Sequence, residues 1–381
     1  MIHETARPAG KHFRIREMKF RGWDRIDLVA EDEPGCATTD KTGGHRVVKA
    51  IAPVIISASR ATDIPSLYAD WFMERFRRGY VRWTNPFNNR CQYVSFAKAR
   101  VIVFWSKNPR NLMKFLPEID RSGVNYYVHF TLNDYEAEKL EPAIPPLNDR
   151  IQTFIDLAAL IGKDRVIWRS DPLILSDTLP VDELMSRLKR IGDRIHNSTE
   201  RLIFSFVEIP EYRRVEVNLR KAGFRIRGFT HEEKMNFAEQ LCRLNERWGL
   251  ELMTCAEDLD LSPYGICRGR CIDNELMTSL FSHDKNLMDF LLPPEQTGLV
   301  GFDAKNRSAM KDPGQRRECG CIRSKDIGQY NTCTHLCAYC YANSSPELAI
   351  KNHERYKSSA DSGIFPDRIA VPDGKKEGSR D

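Results

Sequence analysis

The sequence predicts an α/β protein: a (β/α)6-type barrel, partial or closed and TIM-like, followed by a Cys-rich region. Three observations carry this reading. Between residues 49 and 260, apolar runs of strand length alternate with amphipathic stretches of helix length, and repeated βα units specify a parallel sheet or barrel. Each predicted strand ends in polar residues, where barrels of this type place their sites. Eight of the eleven cysteines lie between 255 and 340, less than a quarter of the chain.

The elements follow in order. Val54 to Ile56 reads as a strand. Pro65 to Arg78 reads as a helix whose apolar face carries Leu67, Trp71, Phe72 and Phe76. A hairpin is expected near Val81 to Phe96. Val101 to Trp105 is a strand, Leu112 to Ser122 a helix ending before Gly123, and Asn125 to Leu132 a strand. Asn148 to Ile161 is a helix stopped by Gly162, then Val166 to Trp168 a strand and Val181 to Ile195 a helix. Arg201 to Val207 is the fifth strand of the series, Glu232 to Trp248 a helix ending at Gly249, and Leu250 to Thr254 the sixth strand. Right-handed crossovers curl such units into a barrel. A doubly wound open sheet is the alternative. Residues 1 to 48 read as a polar leader, 49 to 260 as the barrel core, 261 to 344 as the Cys-rich region packed on its mouth, and 345 to 381 as a flexible tail.

Composition bounds the function. With 381 residues, 41% hydrophobic and 29% charged, the chain is globular in character and not a disordered or fibrous one. The net charge of +5 and a pI near 8.6 fall short of a dedicated nucleic-acid-binding domain. The basic stretches Arg14 to Arg25 and Arg75 to Arg82 read as solvated surface or a flexible arm. No apolar run approaches the roughly 20 residues that span a bilayer. Met1 to Phe20 has no apolar core of a secretory signal, so a cytoplasmic location is expected and no membrane partner. No Walker loop, no GxGxxG fingerprint and no hydrolase signature is present.

The cysteines are the strongest signal. In a long chain expected in a reducing compartment, clustered thiols point to metal more than to disulfides. Cys333, Cys337 and Cys340 read C-x3-C-x2-C. Zinc sites usually take pairs of ligands from two knuckles. Three thiolates on one loop can instead hold three irons of a [4Fe-4S] cluster and leave the fourth open, with zinc as the other candidate. Cys255, Cys271, Cys319 and Cys321 are expected to form a second site, an auxiliary cluster or a structural zinc. Cys267 is a possible substitute among them.

The loop Cys333-Thr-His-Leu-Cys337-Ala-Tyr-Cys340 resembles the signature of the radical S-adenosylmethionine (SAM) enzymes. With Gln329 to Thr332 before it and Tyr341-Ala342 after it, the string is similar to the spore photoproduct lyase-like branch. That motif normally opens the catalytic domain, and here it stands near the end of the chain. The placement, together with Ser57-Ala-Ser-Arg60-Ala-Thr-Asp63-Ile-Pro65 near the start, resembles an uncharacterised domain-of-unknown-function family. The resemblance implies a cluster on Cys333, Cys337 and Cys340, with SAM at the open iron. It further implies reductive cleavage to methionine and a 5′-deoxyadenosyl radical, hydrogen abstraction from a substrate, and an electron donor such as a flavodoxin or ferredoxin.

The candidate site residues sit at the predicted strand ends. Ser57, Ser59, Arg60 and Asp63 follow the first, and Lys107 and Asn108 the next. His129, Thr131 and Asn133 follow the third, Arg169 and Asp171 the fourth, Ser205 and Glu208 the fifth, Cys255 and Glu257 the sixth. Lys107 and Arg169 are expected to grip a carboxylate such as that of SAM, since charge-assisted hydrogen bonds are the strong ones. Arg60 and Asp63 join them as catalytic candidates. By resemblance, Glu141 in Leu140-Glu-Pro142, Arg150 and Tyr339 join Lys107, Asn108, Thr131, Asn133 and Arg169 at the cofactor. His335 inside the Cys loop reads as a neighbour and not a ligand. The other readings are an iron–sulfur nucleic-acid-binding or repair protein and a non-catalytic barrel stapled by metal.

Overall fold

A computed structural model describes residues 23–30, 46–207, 213–292, 310–363 and 365–370. β1 (Asp24–Ala30) and β2 (Arg46–Ala52) pair antiparallel, Asp24 opposite Ala52. β3 (Ile55–Ala58) is buried at every position, as a parallel strand covered on both faces must be. Asp63 caps α1 (Ile64–Leu67), with Pro65 in its first turn, where a missing N–H costs nothing. α2 (Ala69–Arg78) ends at Gly79, whose φ of 79° suits a residue without Cβ. β4 (Tyr80–Thr84) and β5 (Cys91–Ser95) form the expected hairpin. They complete a four-stranded sheet ordered β1-β2-β5-β4.

The βα series then runs through β6 (Val101–Ser106), α3 (Arg110–Met113), α4 (Leu116–Ser122), β7 (Asn125–Thr131), α5 (Leu147–Ile161) and β8 (Val166–Leu173). The short β9 (Leu175–Ser176), α6 (Val181–Ile195), β10 (Arg201–Phe206), α7 (Arg213–Lys221), β11 (Ile226–Arg227), α8 (His231–Trp248) and β12 (Glu251–Cys255) come next. The Cys-rich region adds β13 (Ile266–Gly269), α9 (Asn274–Leu280), α10 (Lys285–Leu291) and β14 (Lys325–Asp326), and α11 (Pro346–Asp361) closes the series.

Eight strands form one sheet in the order β13-β12-β10-β8-β7-β6-β3-β14, and every pairing in it is parallel. From β3 to β13 the order follows the chain without reversal. A doubly wound sheet reverses at a switch point, so that alternative is set aside. Among the described residues β13 and β14 are the sheet's edges and no pairing joins them. The expected six strands are therefore eight. The two extra strands are short: Ile266–Gly269 and the dipeptide Lys325–Asp326 lack the apolar run that marks the others.

Alternation along the strands separates two cores. On one face Ile102, Phe104, Val128, Phe130, Trp168, Leu202 and Phe204 pack with helix residues such as Ile119, Phe154, Ile191 and Phe237. On the other, Ile55, Val103, Tyr127, Ile167, Ile203 and Met253 pack with Ile272, Met277, Phe281, Leu287 and Ile322. The Cys-rich region thus covers the second face, where Cys255, Cys271, Cys319 and Cys321 lie, whereas Cys337 packs against the first core.

Several expectations are corrected. The helix read over 65 to 78 is broken at Tyr68 into α1 and α2, and the one over 112 to 122 into α3 and α4. The leader contains β1 and the start of β2; the rest of it lies outside the described residues, as does Glu208. The supposed tail holds α11, capped by Ser345. Tyr356 packs its ring 4.6 Å from that of Tyr68, Trp71 Nε1 donates to Pro366 O at 2.7 Å, and Asp367 pairs with Arg82 at 2.9 Å. In the stretch from Arg75 to Arg82, Arg75 is fully buried, its guanidinium 4.7 Å from the Tyr80 ring centroid.

Candidate metal centre

Two thiol groups stand near the carboxyl ends of the parallel strands. The first is the loop after β14. Backbone turns shape it: Cys340 N donates to Cys337 O at 3.0 Å and Ala338 N to Leu140 O at 2.8 Å. Two of its thiols feel the charge of others: Cys333 that of Cys340, Cys337 that of both Cys333 and Cys340. Burial, then Asp63 and Cys340, pushes the Cys333 thiol up to about 12. Burial also raises Cys337, against the pull of Lys107. A metal reverses this preference, since a coordinating thiol is deprotonated outright.

Asp63 braces this loop. Its Oδ1 accepts from Ser66 N at 3.0 Å and Ser106 Oγ at 2.7 Å; its Oδ2 meets Lys107 N at 2.7 Å and His335 Nε2 at 2.8 Å. One carboxylate therefore caps α1, holds the end of β6 and anchors the middle of the Cys loop. Its lone pairs are taken up by these bonds, which assigns it a positioning part. Tyr68 adds a second anchor, its OH donating to Thr332 O at 2.6 Å.

Against the loop lies a buried polar network. Lys107 Nζ donates to Glu141 Oε1 at 2.6 Å and Tyr339 OH at 2.8 Å, and Tyr339 OH donates to Glu141. Arg150, fully buried, stands 3.6 Å from Glu141 Oε2. Burial pushes the Glu141 carboxyl up, but Lys107 and Arg150 outweigh it and hold it below the usual range. Burial likewise pushes Lys107 down, and Glu141 and Cys337 raise it above the ordinary value. Asn133 Nδ2 reaches Glu141 Oε1 at 3.5 Å and Asp171 O at 3.3 Å, while Asp171 N donates to Asn133 Oδ1 at 3.2 Å. Thr131 ends β7 opposite Arg169 in register, half-buried. Asn108 N donates to Ser106 Oγ at 3.0 Å.

The second thiol group gathers Cys255, Cys271, Cys319 and Cys321 from three separate segments. Cys255 Sγ is 3.5 Å from Cys271 Sγ. Cys321 Sγ accepts from Cys271 N at 3.2 Å and Ile272 N at 3.4 Å. Hydrogen bonding from Cys321 pushes Cys319 up, and bonds from Cys271 and Cys319 hold Cys321 well below the usual range. Cys255 is lowered to about 7, first by its bond with Cys271 and then, against burial, by Arg169. Cys267, the possible substitute, is exposed on β13.

Two cations flank these thiols. Arg169 Nη1 donates to Cys271 Sγ at 2.7 Å and its Nη2 pairs with Asp171, which also accepts from Ser205 Oγ. The Arg60 guanidinium lies 5.0 Å from the Trp105 ring, and Arg169 5.1 Å from the same ring. His129 stacks on Trp105 at 4.4 Å and donates through Nε2 to Cys271 O at 2.7 Å. Burial, then Arg169, holds His129 well below its ordinary pKa, so the ring is neutral. Arg60 Nη2, Trp105 Nε1 and His129 Nδ1 are buried without hydrogen-bond partners. Three orphaned polar atoms around one group of thiols are unusual in a finished interior.

Among the described residues, no group of three or more His, Cys, Asp or Glu side chains is arranged to hold a metal ion. The fit to metal is therefore one of donor chemistry. Seven thiols in two groups are the donor set of soft metals and iron–sulfur clusters. Glu257, at the end of β12, serves elsewhere, paired with Lys234 at 3.0 Å. Sequence reasoning missed Asp326, whose carboxylate accepts from Ser57 Oγ, Ser59 Oγ and Arg60 N at 2.7–2.8 Å. No motif marks it; only the pairing of β14 with β3 brings it there.

These observations define a class: an α/β protein with a singly ordered parallel sheet and two thiol groups near its strand ends. The chain belongs to the family described as a domain of unknown function (DUF1848), matched over residues 55–342. Comparison with curated proteins and with solved structures returned no match. No described helix is long and apolar enough to cross a membrane.

Proposed function

We propose that the chain is an iron–sulfur protein acting as a radical SAM-like enzyme, with Cys333, Cys337 and Cys340 as cluster ligands. The carrying observation is the place of the loop. Its three half-buried thiols lie on one loop, Cys337 within electrostatic reach of the other two, backed by Asp63 and faced by the Lys107–Glu141–Tyr339 network near the ends of β6 and β7. A cluster with three protein thiolates leaves a metal position for SAM and supplies the reducing electron for its cleavage. The chain's own part is positional. Glu141 and Tyr339 fix the Lys107 ammonium beside Cys337, where it offsets thiolate charge. The buried Arg150 and Leu140 keep water from the back of the network. An external reductant such as a flavodoxin or ferredoxin delivers the electron.

The test is anaerobic purification and reconstitution with iron and sulfide, followed by EPR of the reduced protein with and without SAM. A [4Fe-4S] signal that shifts on adding SAM supports the reading. A signal indifferent to SAM, or zinc in the loop, overturns it.

A further inference from the structure

We propose that Cys255, Cys271, Cys319 and Cys321 hold a second iron–sulfur cluster, and that Arg60 and Arg169 are its counter-ions instead of the grip for a SAM carboxylate. The proposal deepens the iron–sulfur reading, and its test is independent of the three-Cys loop.

Four structural features carry it. First, the four thiols form a contact series from Cys255 to Cys271 to Cys321 to Cys319, although β12, the turn after β13 and the strand-like stretch before β14 contribute them separately. Free cysteines buried for packing alone have no reason to converge from three segments. Second, the four thiols run as a series in which only Cys271 and Cys321 each meet two others. A single zinc needs four sulfurs at about 2.3 Å from one centre. A cluster of several irons reaches thiols spread more widely. Third, the Arg169 fork is divided between the Cys271 sulfur at 2.7 Å and Asp171. Both its ends are committed inside the sheet, and neither is presented to a ligand near the Cys loop. Fourth, the half-buried Arg60 sets its guanidinium 5.0 Å from the Trp105 ring that Arg169 also meets, and against the cost of desolvation its charge is favoured by Cys321, Asp326 and Cys271. Its Nη2 and the Trp105 Nε1 are donors with no partner. Inorganic sulfides and cysteine sulfurs accept such hydrogen bonds, and bonds to the sulfurs tune cluster potential.

Four thiolates around an iron–sulfur core carry net negative charge. Buried charge is tolerated only when paired. Two guanidiniums within reach supply that pairing, and they favour the reduced, more negative state. Removing one charge makes the centre harder to reduce. Trp105 lies against both guanidiniums, so it fixes their spacing without adding charge.

The experiment uses the full chain carrying Cys333→Ala, Cys337→Ala and Cys340→Ala, reconstituted with iron and sulfide. About four irons and four sulfides per chain are expected to remain, and Cys271→Ser in that background is expected to remove them. In the same background, Arg169→Gln and Arg60→Gln are expected to lower the reduced-to-oxidised ratio at a fixed potential roughly tenfold each, about 59 mV for a one-electron couple. Arg169→Lys restores most of it. Far-UV circular dichroism and thermal melts confirm that the variants fold. No retained metal, or one zinc and no iron, overturns the second cluster while leaving the loop reading untouched. Arginine variants that leave the potential unchanged and instead abolish the SAM-induced EPR shift in the otherwise wild-type chain overturn the counter-ion assignment.

Discussion

The two thiol groups are built in opposite ways. Cys333, Cys337 and Cys340 come from eight consecutive residues, held by turns and braced from outside by Asp63 and Tyr68. Cys255, Cys271, Cys319 and Cys321 span 67 positions of the chain and meet only because the Cys-rich region folds back across the second face of the sheet. Their surroundings differ too. The loop faces a lysine, a glutamate and a tyrosine that share protons. The four-thiol group faces two arginines, a neutral histidine and a tryptophan. The first environment suits a site that exchanges ligands, because Lys107 and Glu141 are joined to each other and lie next to the thiols without bonding them. The second suits a permanent centre, because Arg169 bonds a sulfur directly.

The sharpest way to break this comparison is to remove one thiol from the loop. Cys337→Ser is expected to abolish the SAM-dependent EPR change entirely and to halve the iron content, from about eight to about four per chain. Loss of all iron would show that the two groups depend on one another and are not separate centres.

Next in size is Glu141→Gln. It leaves the half-buried Lys107 and the buried Arg150 without their carboxylate, and breaking a buried pair from one side costs about 3–5 kcal/mol. Urea denaturation of the metal-free chain measures it. The same residue sets a pH dependence. Because Lys107 and Arg150 hold the folded Glu141 below its unfolded value, its contribution is present above about pH 4.3. It is lost as pH falls through the lower folded value. The variant's stability is therefore expected to fall less steeply than wild type below pH 4.3. Parallel acid curves for the two proteins would sink the claim that this network is charged.

Asp326→Ala tests the other region. This carboxylate binds Ser57, Ser59, the Arg60 backbone and Gly328 N, and so holds β14 to β3. Gly328 follows so closely that a Cβ there would meet Ser59 Oγ at 1.8 Å. Losing several charge-assisted bonds at a half-buried site is expected to cost about 2 kcal/mol. It is also expected to shift the four-thiol centre's spectrum while leaving the SAM response intact. If the SAM response were the one to change, Arg60 would belong to the loop.

What was legible in the sequence follows the same division. The six long strands were readable because each is a run of buried apolar residues, and α6 was found at its exact bounds because Val181, Leu184, Leu188, Ile191 and Ile195 keep helical spacing. The three-Cys motif was local and so visible. Cys255, Cys271, Cys319 and Cys321 approach one another only through the fold, while Cys267 is exposed. The partners of those thiols were not legible. For Arg169 and Arg60, strand-end position says where a residue lies and not which neighbour takes its hydrogen bonds. Asp326 and α11 carried no signal, since a charged dipeptide strand and a polar helix depend on the surface they meet.

That helix gives the smallest and most selective test. Ser345 caps α11, its Oγ accepting from Leu348 N at 3.1 Å. From α11, Asn352 Nδ2 donates to Asn331 O at 2.8 Å, and His353 Nδ1 lies 3.1 Å from Tyr68 OH, which in turn holds Thr332. The helix thus backs the residues just before Cys333. Ser345→Ala is expected to cost about 1 kcal/mol, read as a small drop in melting temperature. Because the cost falls on the loop's support, oxygen-dependent loss of iron is expected to quicken at the loop and stay unchanged at the second centre. Equal acceleration at both would mean that the two groups open together in one cooperative unit, and that their separation is one of chemistry without being one of stability.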